Sequence, residues 1–217
     1  MKIVALKYGE SVFGENNIFY GGDEANMLPI TFVVYLLQTK DKNILVDAGC
    51  DDGAGFKMSV FKKPVEVLEE YGLTSDDITD VIITHSHRDH IGAVGHYKKA
   101  TIHIQKDEYE SGRKYIGEGN KINLFDEIFE VCHGVLIKKI GGHTKNSSIV
   151  VAEDKYVLCG DECYYKECFD RGIITGSSKH PDKSRAFMEE YGDEKYKLLF
   201  FHDKDIFPGE VGYFVIK

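Results

Sequence analysis

The densest chemistry in the chain lies in ITHSHRDHIG, residues 83–92, where His85, His87, Asp89 and His90 fall within six positions. The preceding run VIITH reads as extended, so His85 and His87, two apart, project to one side. Two imidazoles on one side can share a metal ion. Asp89 and His90 stand where a helix would begin, ahead of IGAVG, and a turn there would swing them toward a second metal position. Neutral imidazoles with a carboxylate suit Zn²⁺, and also Fe or Mn. No cysteine is in the cluster, which speaks against thiolate-rich structural zinc. Four ligands cannot complete two metal sites. Three further residues meet the same criterion of a ligand type just past a predicted strand: His143 after IKKIGG, Asp161 after YVLCG and His202 after LLFF.

Strands must present these residues. Apolar and β-branched runs predict them at MKIVALKY, ITFVVYLLQT, NILVDAG, VIITH and TIHIQ, and again at VLIKKIGG, SSIVVAED, KYVLCGD, KLLFFHD and VGYFVIK. Helical spacing predicts helices in SVFKKPVEVLEEYG, which stops at Gly72, in KDEYESGRKY, and in PDKSRAFMEEYG with Pro181 near its start. GENNIFYGGDEANM reads as a loop. The strands come in two batches with helices interspersed, an order that suits two packed sheets with helices outside and not a regular βαβ repeat. No linker, repeat or low-complexity tract interrupts the 217 residues, so a single domain, 1–217, is expected.

Composition narrows the partners. With 42% hydrophobic residues the chain can bury a sizeable core. A formal net charge of -9 is a poor match for a phosphate backbone, so no nucleic-acid partner is expected. The N-terminal apolar run IVAL ends at Lys7, far short of a signal-peptide core, and no run nears the ~20 residues of a membrane helix. Five cysteines without regular spacing do not resemble a disulfide framework. The expectation is a reduced, cytoplasmic chain without a membrane partner. Its oligomeric state is not legible.

In order along the chain, HSHRDHIG, GGHT, GD and FHD resemble the metallo-β-lactamase superfamily, whose motif H-x-H-x-D-H is matched at every fixed position. LVDAG, residues 45–49, resembles the family's early strand-end aspartate. The resemblance implies an α+β fold, an αββα sandwich of two mixed sheets with helices on the outer faces and metals in a cleft at one edge. It implies that His85, His87 and His143 hold one metal and that Asp89, His90 and His202 hold a second. Asp161 would bridge the two, and Asp47 would stand just behind the ligands. Two cations ~3.5–4 Å apart lower the pKa of a shared water, so hydroxide forms near neutral pH as the nucleophile, while one cation polarises a carbonyl. Asp89 is the candidate to shuttle the proton.

Within that superfamily the sequence is most similar to the N-acyl homoserine lactone lactonases, through NMLPITFVVYLLQTKDKNILVDAG, QKDEYE and GDECYYKECF. Tyr164, three residues after Asp161, matches a tyrosine that in those enzymes hydrogen-bonds the substrate carbonyl. The resemblance makes it a catalytic candidate for oxyanion stabilisation. Two departures bear on the acyl group. Arg88 stands where the lactonases tend to have an apolar residue, and Lys145, Asn146 and Ser147 stand where they tend to have Pro-Gly-His. The expected function is a dinuclear metal hydrolase acting on a lactone or small ester. Alternatives are a thioesterase of glyoxalase II type on the same site, and an iron-holding redox module. Only fifteen residues follow His202, so a helical glutathione-holding domain is not expected. His96, His103, His133, His180, Cys159, Cys163 and Cys168 lie outside the pattern and are expected to be structural or surface residues.

Overall fold

The computed structural model describes residues 1–207 and 209–217. Its strands are β1 (Lys2–Gly14), β2 (Met27–Gln38), β3 (Asn43–Val46), β4 (Val60–Phe61), β5 (Asp80–Ile83), β6 (Thr101–Gln105), β7 (Lys121–Phe125), β8 (Ile128–Cys132), β9 (Val135–Lys139), β10 (Ser148–Ala152), β11 (Tyr156–Leu158), β12 (Lys197–Leu199) and β13 (Gly212–Val215). Its α-helices are α1 (Glu15–Ile18), α2 (Pro64–Glu70), α3 (Arg88–Ile91), α4 (Lys106–Gly112), α5 (Lys166–Arg171) and α6 (Pro181–Tyr191). The strands form two mixed sheets. Backbone contacts divide the chain into two compact units: Met1–Ser11 with Thr31–Phe125 and Phe207–Lys217, and Val12–Ile30 with Asp126–Ile206.

The sheet of the first unit runs β13-β1-β2-β3-β5-β6-β7, with β4 paired to β1. Its strands β3, β5, β6 and β7 are parallel, with Val46 opposite Ile82 and Ile82 opposite His103. Parallel strands are covered on both faces and therefore read as unbroken apolar runs. Ile44, Leu45, Val46, Val81, Ile82 and Ile83 are fully buried accordingly. The parallel register also sets the ends of β3 and β5 side by side, and Asp47 and His85 follow those ends.

The sheet of the second unit runs β12-β11-β10-β9-β8. Its one parallel pair is β11 with β12, Leu158 opposite Leu199, so the segments leading to Asp161 and His202 leave neighbouring strands in the same direction. Val135, Ile137, Ile149, Val150, Val157 and Leu158 are buried in its core. Helix α6 starts at Pro181, whose fixed φ suits a first helical position. It buries Ser184, Phe187 and Tyr191 at three- and four-residue intervals, one apolar stripe.

The structure departs from the sequence reading at several places, among them helix α5, where no helix was expected. Strands β7 and β8 were not expected, because each is an outermost strand carrying exposed apolar residues, Leu124 and Ile128, among polar ones and so shows no buried run. The expected loop at 14–27 contains a helical turn, α1, that buries Ile18. The expected helix from Ser59 begins only at Pro64, and Val60–Phe61 pairs instead with β1. Before a proline the α region is disfavoured, which holds the chain extended up to Lys63. Among the described residues, no helix is long and apolar enough to cross a membrane.

Candidate metal centre

In the first unit, Asp47 anchors a buried polar knot. It follows β3 with φ 61°, a left-handed conformation unusual for a residue other than glycine, and it is fully buried. Its Oδ1 accepts the Thr84 N–H at 2.8 Å, and its Oδ2 accepts the Thr84 hydroxyl at 2.9 Å. The same Oδ2 lies 2.7 Å from His90 Nδ1. Burial pushes the Asp47 carboxyl up from its ordinary value, while His90 and the Thr84 hydrogen bonds oppose that rise.

This knot assigns the imidazole tautomers. Asp47 accepts a hydrogen bond from His90 Nδ1–H, so Nε2 carries that ring's lone pair. Thr84 spends its only hydroxyl proton on Asp47, so at 3.1 Å it accepts from His85 Nδ1, and Nε2 again carries the lone pair. The His85 ring centroid lies 4.6 Å from that of His87 and 4.1 Å from that of His90. The ligand atoms of His85 and His87 lie within 4.8 Å of one another, as do those of Asp89 and His90.

The chain between these histidines is pinned from two sides. Glu108 of α4 accepts the Ser86 N–H at 2.9 Å and the Ser86 hydroxyl at 2.5 Å. The buried Tyr8 hydroxyl donates to the Asp89 carbonyl at 2.8 Å. The half-exposed Arg88 pairs with Asp52.

In the second unit, Asp161 stands between two imidazoles. Its Oδ2 is 3.3 Å from His143 Nε2, and its Oδ1 is 3.2 Å from His202 Nε2. All three side chains are buried. Tyr164 is buried beside them, its ring centroid 5.0 Å from His202 and 6.2 Å from His143, with Phe13 stacked at 6.2 Å. Glu162 is buried too and accepts the Gly142 N–H at 3.3 Å, the His143 N–H at 3.2 Å and the Ser147 hydroxyl at 2.5 Å. Burial pushes its carboxyl up to about 7 against those hydrogen bonds, and the Asp161 charge adds to the rise. Gly141 takes φ 78°, and a Cβ on Gly142 would collide with Glu162 and Ser184, which explains both glycines before His143.

Each unit therefore gathers its own share of the expected ligands: His85, His87, Asp89 and His90 in one, His143, Asp161 and His202 in the other. The other histidines serve elsewhere. His96 meets Asp51 at 2.8 Å, His103 meets Asp80 at 2.8 Å, and His133 and His180 are exposed. Cys159, Cys163 and Cys168 are buried thiols. Glu162, Glu108, Thr84 and Tyr8 were not singled out from sequence. Only Glu162 carried a local signal, its place directly after Asp161. The donor set of imidazole nitrogens and carboxylate oxygens, with tautomers assigned, fits divalent cations such as Zn²⁺, Fe²⁺ or Mn²⁺.

Known proteins share this arrangement of motifs and fold. The family model of the metallo-beta-lactamase superfamily matches residues 33–201. An N-acyl homoserine lactonase of Bacillus cereus is 28% identical over 82% of this chain and 83% of its own. The crystal structure of a quorum-quenching N-acyl homoserine lactone hydrolase superposes with a TM-score of 0.83 at 22% identity, covering 97% of this chain and 96% of that one. AidC, a dizinc quorum-quenching lactonase solved with a product, superposes with a TM-score of 0.76 at 17% identity, covering 99% and 93%.

Proposed function

Since the chain belongs to the metallo-β-lactamase superfamily, we propose that it is a dinuclear metal-dependent hydrolase that opens a lactone or cleaves a small ester. The carrying observation is Asp161, whose two carboxylate oxygens face the ligating nitrogens of two buried imidazoles, so that a cation on either imidazole would lie within its reach. In this reading His85, His87 and His143 would hold one ion, Asp89, His90 and His202 would hold the other, and Asp161 would serve both. The whole chain, 1–217, works as one metallo-hydrolase domain. Zinc is the proposed metal, in keeping with the dizinc relative and the donor chemistry. When bound, such a pair of cations lowers the pKa of water and polarises a carbonyl.

The chain's own residues do the remainder. Tyr164 donates a hydrogen bond to the substrate carbonyl oxygen as negative charge develops there. The Asp89 carboxylate takes the proton from the attacking water and returns it to the departing alcohol oxygen. Asp47 and Thr84 hold the His85 and His90 rings with Nε2 as the ligating nitrogen. The lactonase relatives support the lactone as substrate class, and five free thiols suit a reducing, cytoplasmic setting.

The test is hydrolysis of an N-acyl homoserine lactone by zinc-loaded protein, followed as acid release. Asp161→Asn should abolish turnover, and Tyr164→Phe should lower kcat roughly 10²-fold. A protein with two bound zinc ions that leaves the lactone intact would remove the lactonase assignment, and thioesters would be the next substrates. A coloured, iron-loaded protein as purified would instead favour a redox role.

A further inference from the structure

The loop that carries His143 is surrounded by lysines. Lys145 lies two residues past His143 and is exposed. Lys179 is exposed, and its backbone N–H donates to the Gly142 carbonyl at 2.9 Å, as does that of His180. The Lys183 ammonium lies against Gly141, 2.9 Å from where a Cβ on that glycine would sit. One lysine thus lies within the loop 141–145, the backbone of a second is bonded to it, and the ammonium of a third rests against it.

Their charge is not neutralised within the protein. Among the described residues none of the three lies within salt-bridge distance of a carboxylate, whereas Lys138, Lys139, Lys166 and Lys195 of the same unit each meet one. Two acids of this neighbourhood are already engaged. Asp182 pairs with Arg185 at 2.8 Å, and Glu162 is buried and taken by Gly142, His143 and Ser147. In a chain of formal net charge -9, a concentration of uncompensated lysines runs against the overall balance. An anion brought to this loop meets lysines that no carboxylate neutralises. The same loop carries a ligand of the proposed reaction centre, so an anion held there would belong to the molecule being turned over.

We propose that Lys145, Lys179 and Lys183 form an anion-recognising rim beside His143, and that the substrate is a lactone or ester whose acyl part bears a carboxylate. This rests on the hydrolase reading above and supplies its substrate class. The compact ammonium groups sit on flexible stems, so they can follow the end of an acyl chain without demanding the fixed two-point geometry of arginine. The departure at Lys145, Asn146 and Ser147 from the Pro-Gly-His usual in the lactonases then has a chemical purpose.

The experiment compares N-hexanoyl homoserine lactone with the analogue whose six-carbon acyl chain ends in a carboxylate. The wild-type protein and the K145Q/K179Q/K183Q variant are used, both zinc-loaded and matched for metal content and circular dichroism. The wild type should prefer the carboxylated lactone on the order of tenfold in kcat/KM, chiefly through KM, and high salt should shrink the preference. In the variant the ratio should fall to about one. Equal turnover of the two lactones by the wild type would overturn the rim and leave the hydrolase intact. Turnover of neither would remove the lactonase assignment, and calorimetric binding of the same two lactones would then decide the rim. Tighter binding of the carboxylated one by the wild type alone upholds it, and equal or absent binding overturns it.

Discussion

Asp47 and Glu162 do comparable work by different means. Each is a buried carboxylate that binds no substrate in the proposed reaction, and each ties a candidate ligand in place: Asp47 through the His90 ring, Glu162 through the backbone of Gly142 and His143. Asp47→Asn would present an amide N–H to one of its three donors, and Glu162→Gln would do the same. A buried donor facing a donor leaves both unsatisfied. Both substitutions should lower affinity for zinc by roughly 10- to 100-fold, as loss of hydrogen bonds that orient ligands does. Competition against a chromophoric chelator measures this directly. Unchanged zinc affinity in both variants would mean that the ligands hold their geometry without these carboxylates.

Among the elements, the parallel strands β5, β6 and β7 carry a second polar network, which involves none of the proposed metal ligands. Asp80 at the start of β5 lies 2.7 Å from Lys42 Nζ, 2.7 Å from the Thr79 hydroxyl and 2.8 Å from His103 Nε2, and His103 Nδ1 lies 3.1 Å from the Asn123 amide. Burial pushes the Asp80 carboxyl up, but the hydrogen bonds from His103, Lys42 and Thr79 outweigh it and hold the group at about 2. A carboxyl whose folded value lies below its unfolded value of about 3.9 stabilises the fold above that value, and loses the contribution as pH falls toward 2. Asp80→Asn should therefore cost about 2 kcal/mol at pH 7, with the gap to wild type closing below about pH 4. Urea unfolding at several pH values checks this, and a gap independent of pH would locate the loss in packing instead of charge.

For the whole molecule, the proposed ligands run from His85 to His202, so bound metal rewards the native chain over the unfolded one. A cation at 100 times its Kd adds about 2.7 kcal/mol. Two such cations add about 5.4 kcal/mol, which for a chain of this length corresponds to a rise in Tm of roughly 10–20 °C. Stripping with chelator should lower Tm by that amount and added zinc should restore it, as followed by differential scanning calorimetry. A Tm indifferent to chelator would argue against high-affinity sites of any kind.

The amino-acid sequence by itself determined the family and its fold of two mixed sheets, and it marked out the residues expected to bind metal. Its signals there were local: apolar runs that must be buried, and a histidine or aspartate just past the end of each. The same locality explains what it could not show. Strands β7 and β8 bury too little to leave an apolar run. Asp47 and His90 are 43 residues apart, Ser86 and Glu108 are 22 apart, and Gly142 and Glu162 are 20 apart. Whether such groups meet depends on strand register and loop path, which no spacing of residue types reveals. Tertiary structure alone decided which nitrogen of His85 and His90 carries the lone pair, why two glycines precede His143, and that the Lys183 ammonium and the Lys179 backbone meet the loop they open.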